Sequence, residues 1–250
     1  MKIKFFIITC FYALTLQGVW GQSYNNEALA KEYYEKAEGS PNNGNLQKAA
    51  ELGYAPAQYD LAICYANGFG EQRNDYGIAV KWLEKAAKKG YVKAQNKLGV
   101  YYQRGYGVKQ SDKEAVKWYT KAAEQGDAEA QNNLAYCYSE GLGVSCDLAQ
   151  AIAWYTKSAE QGYAMAQYNL GECYYEGEGV LLDEVEAVKW FRKAVEQGYA
   201  NAQHALGACY FLGAGVKRNK DKAKEWFNKA AAQGHKNAKK ALDEYFNDYE

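Results

Sequence analysis

Residues 127–162 read D-A-E-A-Q-N-N-L-A-Y-C-Y-S-E-G-L-G-V-S-C-D-L-A-Q-A-I-A-W-Y-T-K-S-A-E-Q-G. Ala130, Leu134 and Tyr138 recur four residues apart and predict one apolar face of a helix from Ala128 to about Glu140. Gly141-Leu-Gly143 ends that helix, because glycine reaches the left-handed conformation that closes a helical turn. Asp147 then offers a side-chain acceptor to the free N–H groups of a second helix. That helix runs to Gln161, with Ala151, Trp154, Tyr155 and Ala159 on its apolar face and Gly162 as its stop. The stretch predicts helix, turn, helix.

The pattern repeats along the chain. Trp82, Trp118, Trp154, Trp190 and Trp226 stand 36 residues apart, as do Gly90, Gly126, Gly162, Gly198 and Gly234. Ala-Gln recurs at 57, 94, 130, 166 and 202. Asp75, Ser111, Asp147, Asp183 and Asn219 precede the five second helices, and each residue type is a helix cap. Ala or Gly at 62, 99, 135, 171 and 207 lets helices approach closely, and Leu61, Leu98, Leu134, Leu170 and Leu206 with the tryptophans fill the space between. One helix pair cannot bury its own face, so neighbouring units must cover it. The expected class is all-α, an α-solenoid of helix-turn-helix repeats of about 36 residues.

Five full units are expected at 54–90, 91–126, 127–162, 163–198 and 199–234. Residues 22–53 read as a degenerate capping unit, with a shortened turn around Pro41. Residues 235–250 read as a capping helix whose face is Ala238, Leu242 and Phe246. At the other end, basic Met1–Lys4, the apolar run Phe5–Leu16 and the small residues near Gly21 form the three-part pattern of a secretory signal over 1–21. The run is shorter than the roughly 20 residues of a membrane span, and the alternative is an uncleaved anchor. The expected product is exported, periplasmic or secreted, with no membrane span after cleavage.

Composition narrows function by exclusion. The 250 residues are 48% apolar, enough for a sizeable core. Lys+Arg and Asp+Glu both number 30, so no net attraction for nucleic acid is expected. His204 and His235 are the two histidines, and neither has a partner at ligand spacing, so no metal is expected. His204 reads as a surface or groove residue and His235 as solvated. Gly-x-Gly occurs five times without a phosphate-binding fingerprint, and no serine opens a Ser-x-x-Lys motif. No catalytic residue and no cofactor is expected.

Cys64, Cys137, Cys173 and Cys209 occupy one repeat position. Equivalent helices lie at least ~8–10 Å apart, beyond the ~4.4–6.8 Å between the Cα atoms of a disulfide. These four are expected not to bridge one another. Cys146, in an exposed turn, is left as free, paired with Cys137, or linking two chains.

The unit A-x-A-Q-x-x-L-G-x-x-Y-x-x-G-x-G-V, followed by a capped helix with A-x-x-W-Y-x-K-A-A-E-Q-G, resembles the Sel-one-like repeat, a relative of the tetratricopeptide repeat. Residues 131–162 come close to the full pattern, and the resemblance covers about residues 25–250. It implies a non-enzymatic scaffold that holds partners, often in signalling or in bacterial envelope and host-contact systems. Glu71 and Gly77 depart from the pattern and imply a looser first full unit. Some cysteine-rich relatives act on β-lactams, so the alternative is an envelope protein that binds or hydrolyses β-lactam or peptidoglycan-like compounds. Those relatives pair cysteines within each unit, a pattern missing here.

The positions that vary between units are the candidates for recognition. On the first helices they are Lys97, Val100 and Arg104, then Asn133, Tyr136 and Glu140, then Asn169 and Glu172. The strip begins earlier, at Asp60. The resemblance places first helices on a concave surface, where such a row would hold an extended peptide or a partner helix. A protein or peptide ligand is expected, bound by a monomer.

Overall fold

A computed structural model describes residues 26–37, 44–68 and 75–246, and within each of its two units successive helices pack side by side through alanine-lined faces. These residues form thirteen α-helices and no strand. The sequence-predicted leader, the turn around Pro41 and Glu71 lie outside the described residues. Two compact units divide the chain, one ending at Ser111 and the other beginning at Asp112.

The first unit contains α1 (26–37), α2 (Gly44–Glu51), α3 (Ala55–Asn67), α4 (Tyr76–Lys88) and α5 (Val92–Arg104). Ala37, Leu46, Ala49, Ala50, Ala57 and Leu61 form one core, with Tyr33, Tyr34, Tyr54 and Trp82 packed on it. The Tyr34 hydroxyl donates to Asp60 at 2.5 Å, which ties α1 to α3. Asp60, at the head of the expected strip, is therefore a structural acceptor.

The second unit contains α6 (Asp112–Glu124), α7 (Ala128–Glu140), α8 (Leu148–Glu160), α9 (Ala164–Glu176), α10 (Glu184–Glu196), α11 (Ala200–Leu212), α12 (Lys220–Ala232) and α13 (Lys236–Tyr245). The leucines at 134, 170 and 206 are each 1% exposed, and the alanines at 130, 166 and 202 are fully buried. Gly171 and Gly207 are small for a specific reason. A Cβ there would lie 2.6 Å from the Phe191 ring and 2.8 Å from the Phe227 ring. The expected capping helix forms as α13, with Ala238 buried and Leu242 and Phe246 on the same core.

The expected caps at Asp75, Asp147, Asp183 and Asn219 each accept the backbone N–H three residues on, at 2.9–3.0 Å. The tryptophans have a second role as faces for lysines. Lys85, Lys121, Lys157, Lys193 and Lys229 place Nζ over the Trp three residues earlier, 3.7–4.4 Å from the ring centroid. The lysines are exposed, and each pair contributes about 0.5–1 kcal/mol.

The recurrent glutamine joins one helix pair to the next. Gln58, Gln95, Gln131 and Gln167 are 4–5% exposed. Each donates Nε2 to a carbonyl near the end of the preceding second helix, at 3.0–3.1 Å. In the second unit a further glutamine satisfies the other end of the amide. Gln161, Gln197 and Gln233 donate to Oε1 of Gln131, Gln167 and Gln203 at 2.7–2.9 Å. In the first unit the donor position holds Lys89, which binds the Gly53 carbonyl and leaves Oε1 of Gln58 buried without a partner. A buried unsatisfied acceptor costs about 1–3 kcal/mol. Lys89→Gln is therefore expected to stabilise the first unit by about 1 kcal/mol, read as a raised midpoint in thermal or denaturant unfolding.

Candidate functional site

The periodic leucines face inward on the first helices, and the candidate positions, one before and two and six after each leucine, lie off that buried face. In the first unit, Lys97 and Val100 on α5 are half-buried and Arg104 is exposed. The three share one helix face at spacings of three and four residues.

In the second unit, Asn133 is half-buried, whereas Tyr136 and Glu140 are exposed on α7, Tyr136 at 45%. Asn169 and Glu172 on α9 are more constrained than an open binding face would require. Asn169 donates Nδ2 to Oδ1 of the buried Asn132 at 2.9 Å, linking α9 to α7. Asn132 in turn donates to the Met165 sulfur at 3.6 Å. Glu172 accepts the Tyr168 hydroxyl at 2.9 Å. Burial holds the Glu172 carboxyl above the usual carboxylate range, the Tyr168 hydrogen bond opposes that, and Glu176 adds to it. Asn169 and Glu172 thus carry packing bonds, and Tyr136 and Glu140 offer the open surface.

The histidines depart from the sequence expectation. His204 and His235 stack with ring centroids 4.6 Å apart, and His204 also packs on Phe227 at 5.5 Å. Nδ1 of His235 accepts the Ala238 N–H at 3.1 Å and so caps α13. Burial, then the neighbouring His235, lowers the His204 pKa below its ordinary value. A lowered histidine pKa means that the folded state binds protons less readily than the unfolded chain. This contribution is intact above the ordinary histidine range and fades as pH falls through it. Stability is expected to fall between about pH 7 and 5 as His204 is protonated. His204→Phe should flatten that dependence in thermal melts taken across the range.

None of the five described cysteines is in a disulfide. Burial pushes the thiols of Cys137 and Cys209 up to about 12 and that of Cys173 up to about 11. Cys146 is exposed and sits 3.2 Å from the Ser139 carbonyl. It is not bonded to Cys137. Among the described residues, no three His, Cys, Asp or Glu side chains gather where they could hold a metal. No described helix is long and apolar enough to cross a membrane.

The Sel1 repeat model matches residues 13–38, 45–54, 55–91, 92–127, 128–163, 164–199 and 200–235. The chain belongs to the Sel1 repeat family. The uropathogenic Escherichia coli protein c5321, a protective antigen with an SLR fold, is similar at 36% identity and a TM-score of 0.75. The match covers 91% of this chain and 49% of c5321, so this chain spans about half the length of that relative. A Sel1 repeat protein from Oxalobacter formigenes is 32% identical over 87% of this chain and 86% of its own, with a TM-score of 0.75. Immunity protein Pa5087 from Pseudomonas aeruginosa shares the fold at 24% identity, with a TM-score of 0.51 over 74% of this chain and 67% of its own. No curated protein matches the sequence. Sel1 repeats build scaffolds that generally serve protein–protein interaction and are generally non-catalytic.

Within a Sel1 repeat, the glutamine of Ala-Gln is the residue whose role the sequence pattern concealed. Its recurrence marked the register. A polar residue that recurs among fully buried neighbours is also a signal of a buried hydrogen bond. The histidine stack carried no such signal, because its members lie 31 residues apart and do not repeat.

Proposed function

We propose that this Sel1 repeat chain is an exported scaffold that binds a protein or peptide through the variable faces of its first helices. The observation that carries the reading is a contrast within single helices. On α7, Leu134 is 1% exposed and Tyr136, two residues on, is 45% exposed. A repeat that buries its leucines while displaying an aromatic ring at a variable position supports recognition there. In the first unit Lys97 and Arg104 supply cationic groups for a partner carboxylate, and arginine does so through a two-point fork. In the second unit Tyr136 and Glu140 supply an aromatic anchor and an acceptor. The basic, apolar and small-residue order at the N-terminus supports export. The description of the E. coli relative as a protective antigen fits a protein that reaches the outside of a cell.

A photo-cross-linking side chain installed at Tyr136 tests the reading. It should capture a polypeptide from the envelope or secreted fraction, while the same group at exposed Lys117 on α6 should not. Equal capture at both positions, together with turnover of a chromogenic β-lactam by the purified chain, would replace the scaffold reading with the enzymatic one.

A further inference from the structure

The last turn of the second unit differs in charge from the turns before it. Arg192 on α10, Tyr210 on α11, and Lys217, Arg218, Asn219 and Lys222 at the turn into α12 line a surface cavity of about 380 Å³. Its cations are Arg192, Lys217, Arg218 and Lys222, and no carboxylate lines it. Among the described residues none of the four cations is ion-paired. Four unpaired like charges around one cavity repel one another, so the arrangement carries an electrostatic cost that an anion would relieve.

The cavity is built around Tyr210, which is 6% exposed. Arg192 donates Nη2 to its hydroxyl at 2.7 Å, which leaves the hydroxyl proton available to a ligand. Lys222 lies 5.2 Å from the centre of the Tyr210 ring. Arg218 is held by Nε, which donates to the Phe211 carbonyl at 3.0 Å, so its two terminal nitrogens are left to bind. Asn219 caps α12 at the same place, and the helix start adds its positive end.

The repeat supplies an internal comparison. The positions of Arg192, Lys217, Arg218 and Lys222 hold Thr156, Leu181, Leu182 and Glu186 one unit earlier. Two units earlier they hold Thr120, Ser145, Cys146 and Gln150. Neither of these sets contains a cation and the helix-turn-helix forms with both, so the four cations are not needed to build the turn. We infer that this cavity is a binding site for a multivalent oxyanion of phosphate chemistry, held by the arginine forks, the two lysines and the Tyr210 hydroxyl. The site lies on the turns, apart from the first-helix strip, and does not depend on the reading of that strip.

Titration calorimetry of the full chain with inorganic pyrophosphate tests the site. Saturable binding is expected, weakened by added salt. Arg192→Thr with Lys217→Ser and Lys222→Gln installs residues that equivalent turns already carry, and should weaken binding roughly tenfold or more with an unchanged circular dichroism spectrum. Should that variant misfold, Lys217→Ser with Lys222→Gln changes exposed side chains alone and should still weaken binding. Lys236→Gln with Lys239→Gln and Lys240→Gln removes the same charge from α13 and should leave binding intact. Sedimentation with phosphatidylglycerol and phosphatidylcholine vesicles separates the sources. Anionic vesicles that carry the protein down, and release it to pyrophosphate, assign a lipid headgroup; pyrophosphate binding without sedimentation assigns a soluble anion. Absence of saturable binding to pyrophosphate and to anionic vesicles would overturn the proposal, and so would equal weakening by the cavity and α13 variants.

Discussion

Gly143→Ala is expected to melt well below the parent, and Gly162→Ala less far below it. Both glycines have positive φ, +72° and +90°. A side chain in that region costs about 1–2 kcal/mol from its own Cβ, and both variants bear that cost. They differ in surroundings. A Cβ on Gly162 meets nothing within 4 Å, whereas one on Gly143 would lie 2.4 Å from the Asp112 carbonyl carbon and 2.6 Å from the Lys113 nitrogen. Those atoms are backbone at the start of α6 and cannot rotate away. The turn or the helix start must shift, which adds about 1–3 kcal/mol of overpacking. Paired denaturant melts isolate this second amount as the difference between the two variants. Equal melts would mean that the second glycine of Gly-x-Gly is kept for its backbone angle alone.

Ala130→Trp is expected to be comparably damaging, for a purely steric reason. Ala130 is fully buried on α7, and its N–H is bonded to the capping Asp127 at 2.7 Å. An indole there has no unoccupied volume to enter, so α7 must move off its neighbours and take Gln131 with it. Gln131 bonds the Ala123 carbonyl on one side and Gln161 on the other, at 3.1 and 2.7 Å. The loss should reach at least ~1–3 kcal/mol and should fall first on α6, α7 and α8. Hydrogen exchange resolved along the chain would show faster exchange in those helices than in α12 or α13. A uniform change, or none, would place Ala130 outside the packed face.

Much of this architecture is legible in one repeat of the sequence. Leu134 and Ala130 repeat with the helix period and are buried, and Asp147 stands where the second helix needs an acceptor and supplies it. Such features are local, or recur at a fixed interval, so the chain states them several times over. The candidate site is less legible, because recognition lies in what fails to repeat. Asn169 and Tyr136 look alike on that criterion, and coordinates are needed to show that one bonds Asn132 while the other faces solvent. The cationic cavity at Tyr210 was hidden for a related reason. Its members come from three helices and a turn, and neutral or acidic residues at the equivalent positions average the signal away.

The central claim is that the variable first-helix faces bind a polypeptide without holding the fold together. Affinity for a captured partner should be measured for Lys97→Glu with Arg104→Glu, and separately for Tyr136→Ala, each beside its melting temperature. The account predicts nearly unchanged melting and a loss of about 1–3 kcal/mol of binding, roughly 5- to 150-fold, in at least one variant. Full affinity in both variants with the fold intact would contradict it, and so would unfolding of either.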